Sequence, residues 1–413
     1  MIVKKAYNIR LYPSKQQENF FNKTFGCSRL LYNVCLGQII DYYKKYKKSY
    51  SPKLKDIKLT YRFMKNADSQ GLANSYMDLM KAFTNFFGSL KKNVKYGFPK
   101  FKNKNCRKSY RNAMMKQDCI KESKILIPKA KWVKYKGIVD LENIKHIWNL
   151  TISKSKCGNY YCSICCDVEV KEYEHTGSCI GIDLGIKNLI ICSDGTIYDN
   201  AKYTSKFEKK IKHLQRMYSK KTKGSKNREK ARKKLAVAHE KLSNSRKDYI
   251  HKITTEIIKN NDVICMEDLN EKGMMQNHKL AKSIQDSSFG MISSFLEYKA
   301  SWHNRQIVKI GRFYPSSKLC NNCGYKNEEL TLADRDWICP KCHKHLDRDL
   351  NASKNILDEG LRILDTLGTR EIEACGEDSS VSAMKLRSSM KQENHKKTSW
   401  TAVVENQPSL AVD

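Results

Sequence analysis

The sequence predicts an α+β multidomain chain, and three patterns carry that prediction. Apolar residues at strict helical spacing, Leu72, Tyr76, Leu79, Phe83, Phe86 and Leu90, mark a helical region near the start. Short runs of β-formers punctuated by Pro and Gly follow between residues 96 and 170. After Cys179, strand-like and helix-like segments alternate as in an α/β layer, interrupted by two CxxC pairs.

In chain order, residues 2 to 11 place Val3, Tyr7, Ile9 and Leu11 on one strand face. Ser14-Lys15-Gln16-Gln17 offers a capping-box start to a helix carrying Phe20, Phe21, Phe25, Leu30 and Leu31. The helix through Leu72 to Leu90 is expected to end near Lys91-Lys92. FPKFKNK, ILIPKAKWVKYKG and a hairpin turning at Gly158-Asn159 suggest a small β-barrel completed by the N-terminal strand. CIGIDLGIKNLIICSDG, Cys179 to Gly195, reads as a hairpin of buried strands. Three helices follow: one on Ile211, Leu214 and Met217, one on Ala231, Leu235, Ala238 and Leu242, and a third on Ile250, Ile253 and Ile257. Beyond about residue 369 periodicity fades and a disordered tail is expected.

The net formal charge of +35 is the footprint of a polyanionic partner, and residues 209 to 260 are its most basic part. No apolar run approaches the ~18 residues of a membrane span, and the N-terminus alternates like a strand rather than a signal peptide. Nucleic acid is thus the expected partner, with no membrane, in a reducing, cytoplasmic setting. Sixteen cysteines do not contradict that setting, because most sit singly in apolar runs, as Cys35, Cys192 and Cys265 do.

One cysteine group differs. Cys320, Cys323, Cys339 and Cys342 form CxxC–x15–CxxC, the spacing at which four thiolates close a tetrahedron around Zn²⁺. Gly324 and Pro340 supply turn chemistry beside them. Four sulfur ligands leave no position for water, so the expected role is structural. Cys157, Cys162, Cys165 and Cys166 also contain a CxxC. There a strand is expected, so residues three apart face opposite sides and core cysteines are the better reading.

Three carboxylates occupy unusual positions. Asp183 lies inside an apolar strand, Glu267 ends the apolar run Val263 to Glu267, and Asp349 follows the second CxxC pair. There Asp347 can cap a helix whose core side includes Leu350, Ile356 and Leu357, with Asp349 in the first turn. Each has a plain explanation alone: a turn-former beside Gly185, a strand end, a helix-start acid. Together, in so basic a chain, they supply what two Mg²⁺ ions need to promote phosphodiester hydrolysis.

GIDLGIKNLIICSDG, KKTKGSKNREKARKKLAVAHEKLSNSRKDYIHK, VICMEDLN, FYPSSKLCNNCG, WICPKC and DRDLNASKNI resemble, in this order, the TnpB (OrfB) proteins of insertion sequences, relatives of compact type V CRISPR effectors. RLYPSKQQ, KAFTNFF and GFPKFK extend the resemblance to about residues 1 to 365. It implies a split β-barrel (wedge) with its first strand at 1–12 and the rest at 96–174, and an inserted helical recognition lobe at 13–95. It also implies a RuvC-like nuclease of the RNase H fold at 175–368, with a zinc ribbon at about 315–345 and a tail at 369–413. The implied activity is DNA cleavage guided by an RNA from the transposon end, beside a short target-adjacent motif. By the same resemblance the catalytic and Mg²⁺-binding acids are Asp183, Glu267 and Asp349, the family motif choosing Asp349 over Asp347. The zinc ligands fall on the four cysteines named above. Competing expectations are a transposase- or resolvase-type DNA strand-processing enzyme and a non-catalytic zinc-ribbon regulator of transposition.

Overall fold

In the computed structural model, residues 1–90, 96–113, 117–278, 280–331 and 334–374 are described. Two compact units divide the chain near residue 170.

In the N-terminal unit, β1 (Ile2–Tyr12) leads through Ser14 into α1 (Lys15–Tyr46). The capping box forms: Ser14 Oγ accepts from Gln17 N, and Gln17 Oε1 accepts from Ser14 N. The Gln17 amide also donates to the carbonyls of Ala130 and Trp132, so the cap fixes the helix to the sheet as well as starting it. Next come α2 (Leu54–Thr60) and α3 (Ser69–Leu90), and α3 packs on α1 through Leu72, Leu79 and Phe83. The expected stop at Lys91-Lys92 lies outside the described residues.

The remaining strands are β2 (Lys108–Asn112), β3 (Ile120–Lys121), β4 (Lys124–Ile127), β5 (Lys131–Lys136), β6 (Ile144–Lys154) and β7 (Tyr160–Glu169). They join β1 in an antiparallel sheet ordered β2-β6-β7-β1-β5-β4-β3. The N-terminal strand is central, paired with β7 from Ile2–Glu169 to Leu11–Tyr160, and does not close an edge. Its alternating Val3, Tyr7, Ile9 and Leu11 need cover from a core along their whole length, which a middle position gives. In β7, Cys162 and Cys166 face that core while Cys165 lies on the other face, as strand alternation requires.

The C-terminal unit starts with β8 (Cys179–Leu184), β9 (Asn188–Cys192) and β10 (Ile197–Asp199). Two basic helices follow, α4 (Tyr203–Ser219) and α5 (Lys226–Asn260). The expected second and third helices are one: nothing between Leu242 and Ile250 is Gly or Pro, so no residue breaks the ladder. Then come β11 (Val263–Glu267), α6 (Glu271–Met274), α7 (Ala281–Ser287), α8 (Phe289–Trp302) and β12 (Gln306–Ile310). The chain continues through β13 (Asp336–Ile338) and β14 (His345–Asp347) into α9 (Arg348–Ala374), which runs past the expected boundary at 369.

The five-stranded sheet is ordered β10-β9-β8-β11-β12, with β8, β11 and β12 parallel. Strand alternation gives it two distinct faces. Ile180, Ile182, Ile264 and Met266 point into a core shared with α5, α7 and α8. The opposite face carries Gly181, Cys265, Val308 and Ile310 and receives α9. Contact there is unusually close. A Cβ at Gly181 would come within 2.1 Å of Ser353 O and 2.7 Å of Leu357 N, and one at Gly360 within 2.3 Å of Cys265 Sγ.

Gly181→Ala therefore forces the α9 backbone away from β8. Since backbone atoms cannot swing aside, a destabilisation of about 3 kcal/mol, at the upper end for overpacking, is expected by denaturant titration. Gly195→Ala, whose Cβ would meet nothing but whose φ is +92°, controls for conformational strain alone.

Candidate active site

The face that receives α9 also carries the acids, because Asp183 and Glu267 are two residues beyond Gly181 and Cys265 on their strands. The parallel register pairs Met266 with Ile182, so Asp183 and Glu267 stand next to each other at the carboxyl ends of neighbouring strands. Adjacent strands lie about 4.8 Å apart, which makes the two carboxylates lateral neighbours. Asp347 accepts from Leu350 N at 2.7 Å and caps α9. That contact uses the Asp347 carboxylate, while Asp349 lies in the first turn.

Asp183 is pushed up to about 7, first by burial and then by the negative charges of Glu267 and Asp349, with Arg348 opposing. Glu267 is raised by burial, with the Ser316 hydroxyl acting against the rise through a 2.6 Å hydrogen bond to Oε1. Asp349 has cationic partners, Arg335 Nη1 at 2.6 Å and Arg348 Nη2 at 3.2 Å. No arginine or lysine pairs with Asp183 or Glu267 among the described residues.

The three acids do not all converge to metal-sharing distance; among the described residues only the four cysteines do. Asp349 is held by the two arginines. The donor set nonetheless fits a hard divalent cation: two half-buried carboxylates lie side by side with no cationic side chain between them, and a third carboxylate is close enough to shift one of them.

Cys320, Cys323, Cys339 and Cys342 bring their sulfurs within 4.8 Å of one another. The Cys320–Cys342 and Cys323–Cys339 separations are 3.6 and 3.5 Å. A Zn–S bond of about 2.3 Å implies a tetrahedral edge of about 3.8 Å, so these thiols fit zinc with little movement. The knuckles are alike: Gly324 N donates to Cys320 O and His343 N to Cys339 O, both at 2.8 Å. Gly324 and His343 hold the left-handed positions, with φ of +71° and +56°. In the second knuckle Pro340 lies within the turn, as expected, and His343 takes the left-handed position that Gly324 holds in the first. The Lys344 backbone N–H draws the Cys342 thiol below its ordinary value, toward the thiolate form that ligates metals.

Sequence reading missed the residues that join ribbon, helix and acids. Asn351 and Asn355, one turn apart on α9 and both buried, donate to Leu319 O, and Asn355 also donates to Ser316 O. They hold the segment from which Ser316 reaches Glu267. Arg348 donates to the carbonyls of Thr331 and Asp334, spanning ribbon and Asp349. The available signal was the polar pair at i, i+4 on a helix face otherwise read as core.

Together the parallel strand ends with their acids, the close-packed helix and the four-cysteine ribbon define an α/β protein whose ribbon is inserted beside an acidic site. The chain belongs to the OrfB (TnpB) family. It is 32% identical to a Streptomyces pristinaespiralis protein named as an RNA-guided DNA endonuclease, over 96% of this chain and 98% of that protein. It is 29% identical to the similarly named InsQ of Escherichia coli K12, over 90% and 94%. The IS605 OrfB family model, described as "Probable transposase", matches residues 163–278, and a Cas12f1-like TNB domain model matches 289–356. A helix-turn-helix model matches residues 1–48, which here form a strand and one long helix. The fold resembles the protein in a Cas12f1–sgRNA–target DNA complex, with a TM-score of 0.52 at 13% identity, over 86% of this chain and 98% of that one. No helix among the described residues is long and apolar enough to cross a membrane.

Two outcomes follow from this geometry. With divalent ions chelated, the raised Asp183 means that the folded state binds more protons than the unfolded one between about pH 4 and 7, so stability falls as pH rises through that window. Asp183→Asn removes this loss and stabilises the metal-free protein at pH 8 by up to about 4 kcal/mol, read from paired denaturant titrations at pH 4.5 and 8. Cys339→Ser is expected to unfold the ribbon and release zinc, measured by metal analysis and limited proteolysis between residues 317 and 346.

Proposed function

We propose that this chain is a transposon-associated, RNA-guided DNA endonuclease that hydrolyses phosphodiester bonds at a RuvC-like site. The observation that carries the reading is the pairing of Asp183 with Glu267 at parallel strand ends, close enough to the Asp349 charge to be shifted by it. The names of the relatives supply the substrate class, and the net charge of +35 suits two polyanionic partners, guide RNA and target DNA.

On this reading residues 1–12 and 96–174 form the wedge, 13–95 the recognition lobe, and 175–368 the nuclease with its zinc ribbon. Asp183, Glu267 and Asp349 hold Mg²⁺, which when bound supplies Lewis-acid stabilisation of the phosphate and of the leaving oxygen. Ser316 orients the Glu267 carboxylate, and burial of Asp183 and Glu267 excludes competing water. Arg335, nearly half exposed beside Asp349, would be placed to meet a substrate phosphate. Cys320, Cys323, Cys339 and Cys342 hold Zn²⁺ in a structural role.

The test is to purify the protein with its co-expressed RNA and challenge plasmid libraries carrying guide-matched targets. Guide-dependent, Mg²⁺-dependent cleavage is expected, and Asp183→Ala or Glu267→Gln should lower the single-turnover rate by at least about a thousandfold. Ser316→Ala, which loosens Glu267 without removing it, should cost about ten- to a hundredfold. Cleavage that survives Asp183→Ala sinks the assigned site. Protein that carries no RNA and prefers branched DNA would instead indicate a resolvase.

A further inference from the structure

The segment that leaves β12 carries the most exposed aromatic ring among the described residues. Phe313 is 94% exposed, and the next rings, Phe63 and Tyr96, stand at 54%. Single apolar groups on a surface are ordinary, but both ends of this segment are tied to Glu267. Ile310, the last residue of β12, is its register partner on the neighbouring strand. Ser316, three residues beyond Phe313, donates to its carboxylate. Phe313 therefore sits midway along a short span that begins and ends at one of the assigned acids.

The exposure of the ring does not come from slack in the chain. Tyr314 N donates to Gly311 O at 3.0 Å, closing a turn with Arg312 and Phe313 at its central positions. Arg312 fastens that turn to the residue after Glu267: its Nε donates to Asp268 O at 3.1 Å and its Nη2 to Asp268 Oδ2 at 2.6 Å. On the other side Tyr314 packs against the core that holds Ile310 and Ile356. Both neighbours are anchored, and the ring between them is held out in water. There it contributes no burial to the stability of the fold.

We propose that Phe313 is a positioning residue of the nuclease site: its ring stacks on an unpaired nucleobase of the strand being cut, and so sets which phosphate lies beside Asp183 and Glu267. A phosphodiester held at those acids brings its bases with it, and every base offers a flat face to an aromatic ring. Such stacking tolerates any sequence, which suits a site whose target is chosen by guide pairing. Inside a duplex both faces of a base are already covered, so the ring takes a base that has left its partner. The inference rests on the nuclease reading above and adds to it a residue and the unpaired state of the substrate at that residue.

The experiment uses the full chain with its bound RNA and guide-matched DNA in which single nucleotides near the cut are made abasic, scanned along either strand. With the unsubstituted protein, one abasic position should slow single-turnover cleavage by roughly five- to a hundredfold. Phe313→Ala should show the same loss on intact DNA, no further loss at that position, and cuts spread over neighbouring phosphates. Phe313→Tyr should restore rate and cut position, and Phe313→Leu should not. None of the three should shift the melting temperature, because the ring is not buried. A 2-aminopurine at the same position, read in Asp183→Ala protein so that the DNA stays whole, should brighten when Phe313→Ala is added. Losses that multiply independently at every position, or full rescue by Phe313→Leu, overturn the proposal and leave the nuclease reading standing. Absence of guide-dependent cleavage by the unsubstituted protein overturns the nuclease reading, and the role of Phe313 with it.

Discussion

The close approach of α9 to the five-stranded sheet is the constraint on which the C-terminal unit depends. It is permitted by two residues without side chains, Gly181 on β8 and Gly360 on the helix, each facing atoms that a Cβ could not clear. Once the helix lies there, its first turn must fall at the carboxyl ends of β8 and β11. Asp349 then comes within electrostatic reach of Asp183. The same helix presents Asn351 and Asn355 to the entrance of the ribbon, and through that segment Ser316 reaches Glu267. Two glycines thus tie the helix, the four-cysteine ribbon and the acids into one arrangement.

The acids are placed against their own electrostatic interest. A fold selected only for stability would pair Asp183 and Glu267 with cations, and the chain has a large surplus of them. Instead both sit half-buried beside each other, and their protons are held more tightly than in water. Asp349 alone is neutralised, by an arginine from each side. Stability foregone at one location, in a protein otherwise rich in compensating charge, is the signature of a site kept for a ligand.

The cationic surplus has structural uses. Arg246 and Thr204 converge on Asp286 and fasten α4, α5 and α7 together. Lys299, buried, donates to His251 O and to the hydroxyls of Thr254 and Thr255, joining α8 to α5 through neutral acceptors.

By itself the sequence determined whatever depends on local spacing. Strand alternation in Val3 to Leu11, the Ser14 capping box, the Asp347 cap and the cysteine quartet are short-range patterns, and each is present. Continuity of α5 was equally local, but it had to be read from the absence of a breaker rather than from a signal. Tertiary structure decided which positions meet. Nothing near Gly181 announces that Ser353 will lie against it, nothing near Glu267 that Ser316 will bond it, and nothing near Asp349 that Arg335 will neutralise it. Such contacts join residues far apart in the chain, and their energies depend on distances that only packing sets. The centre of the N-terminal sheet went to β1 for the same reason: strand order is chosen by which faces must be buried, and no strand carries that information alone.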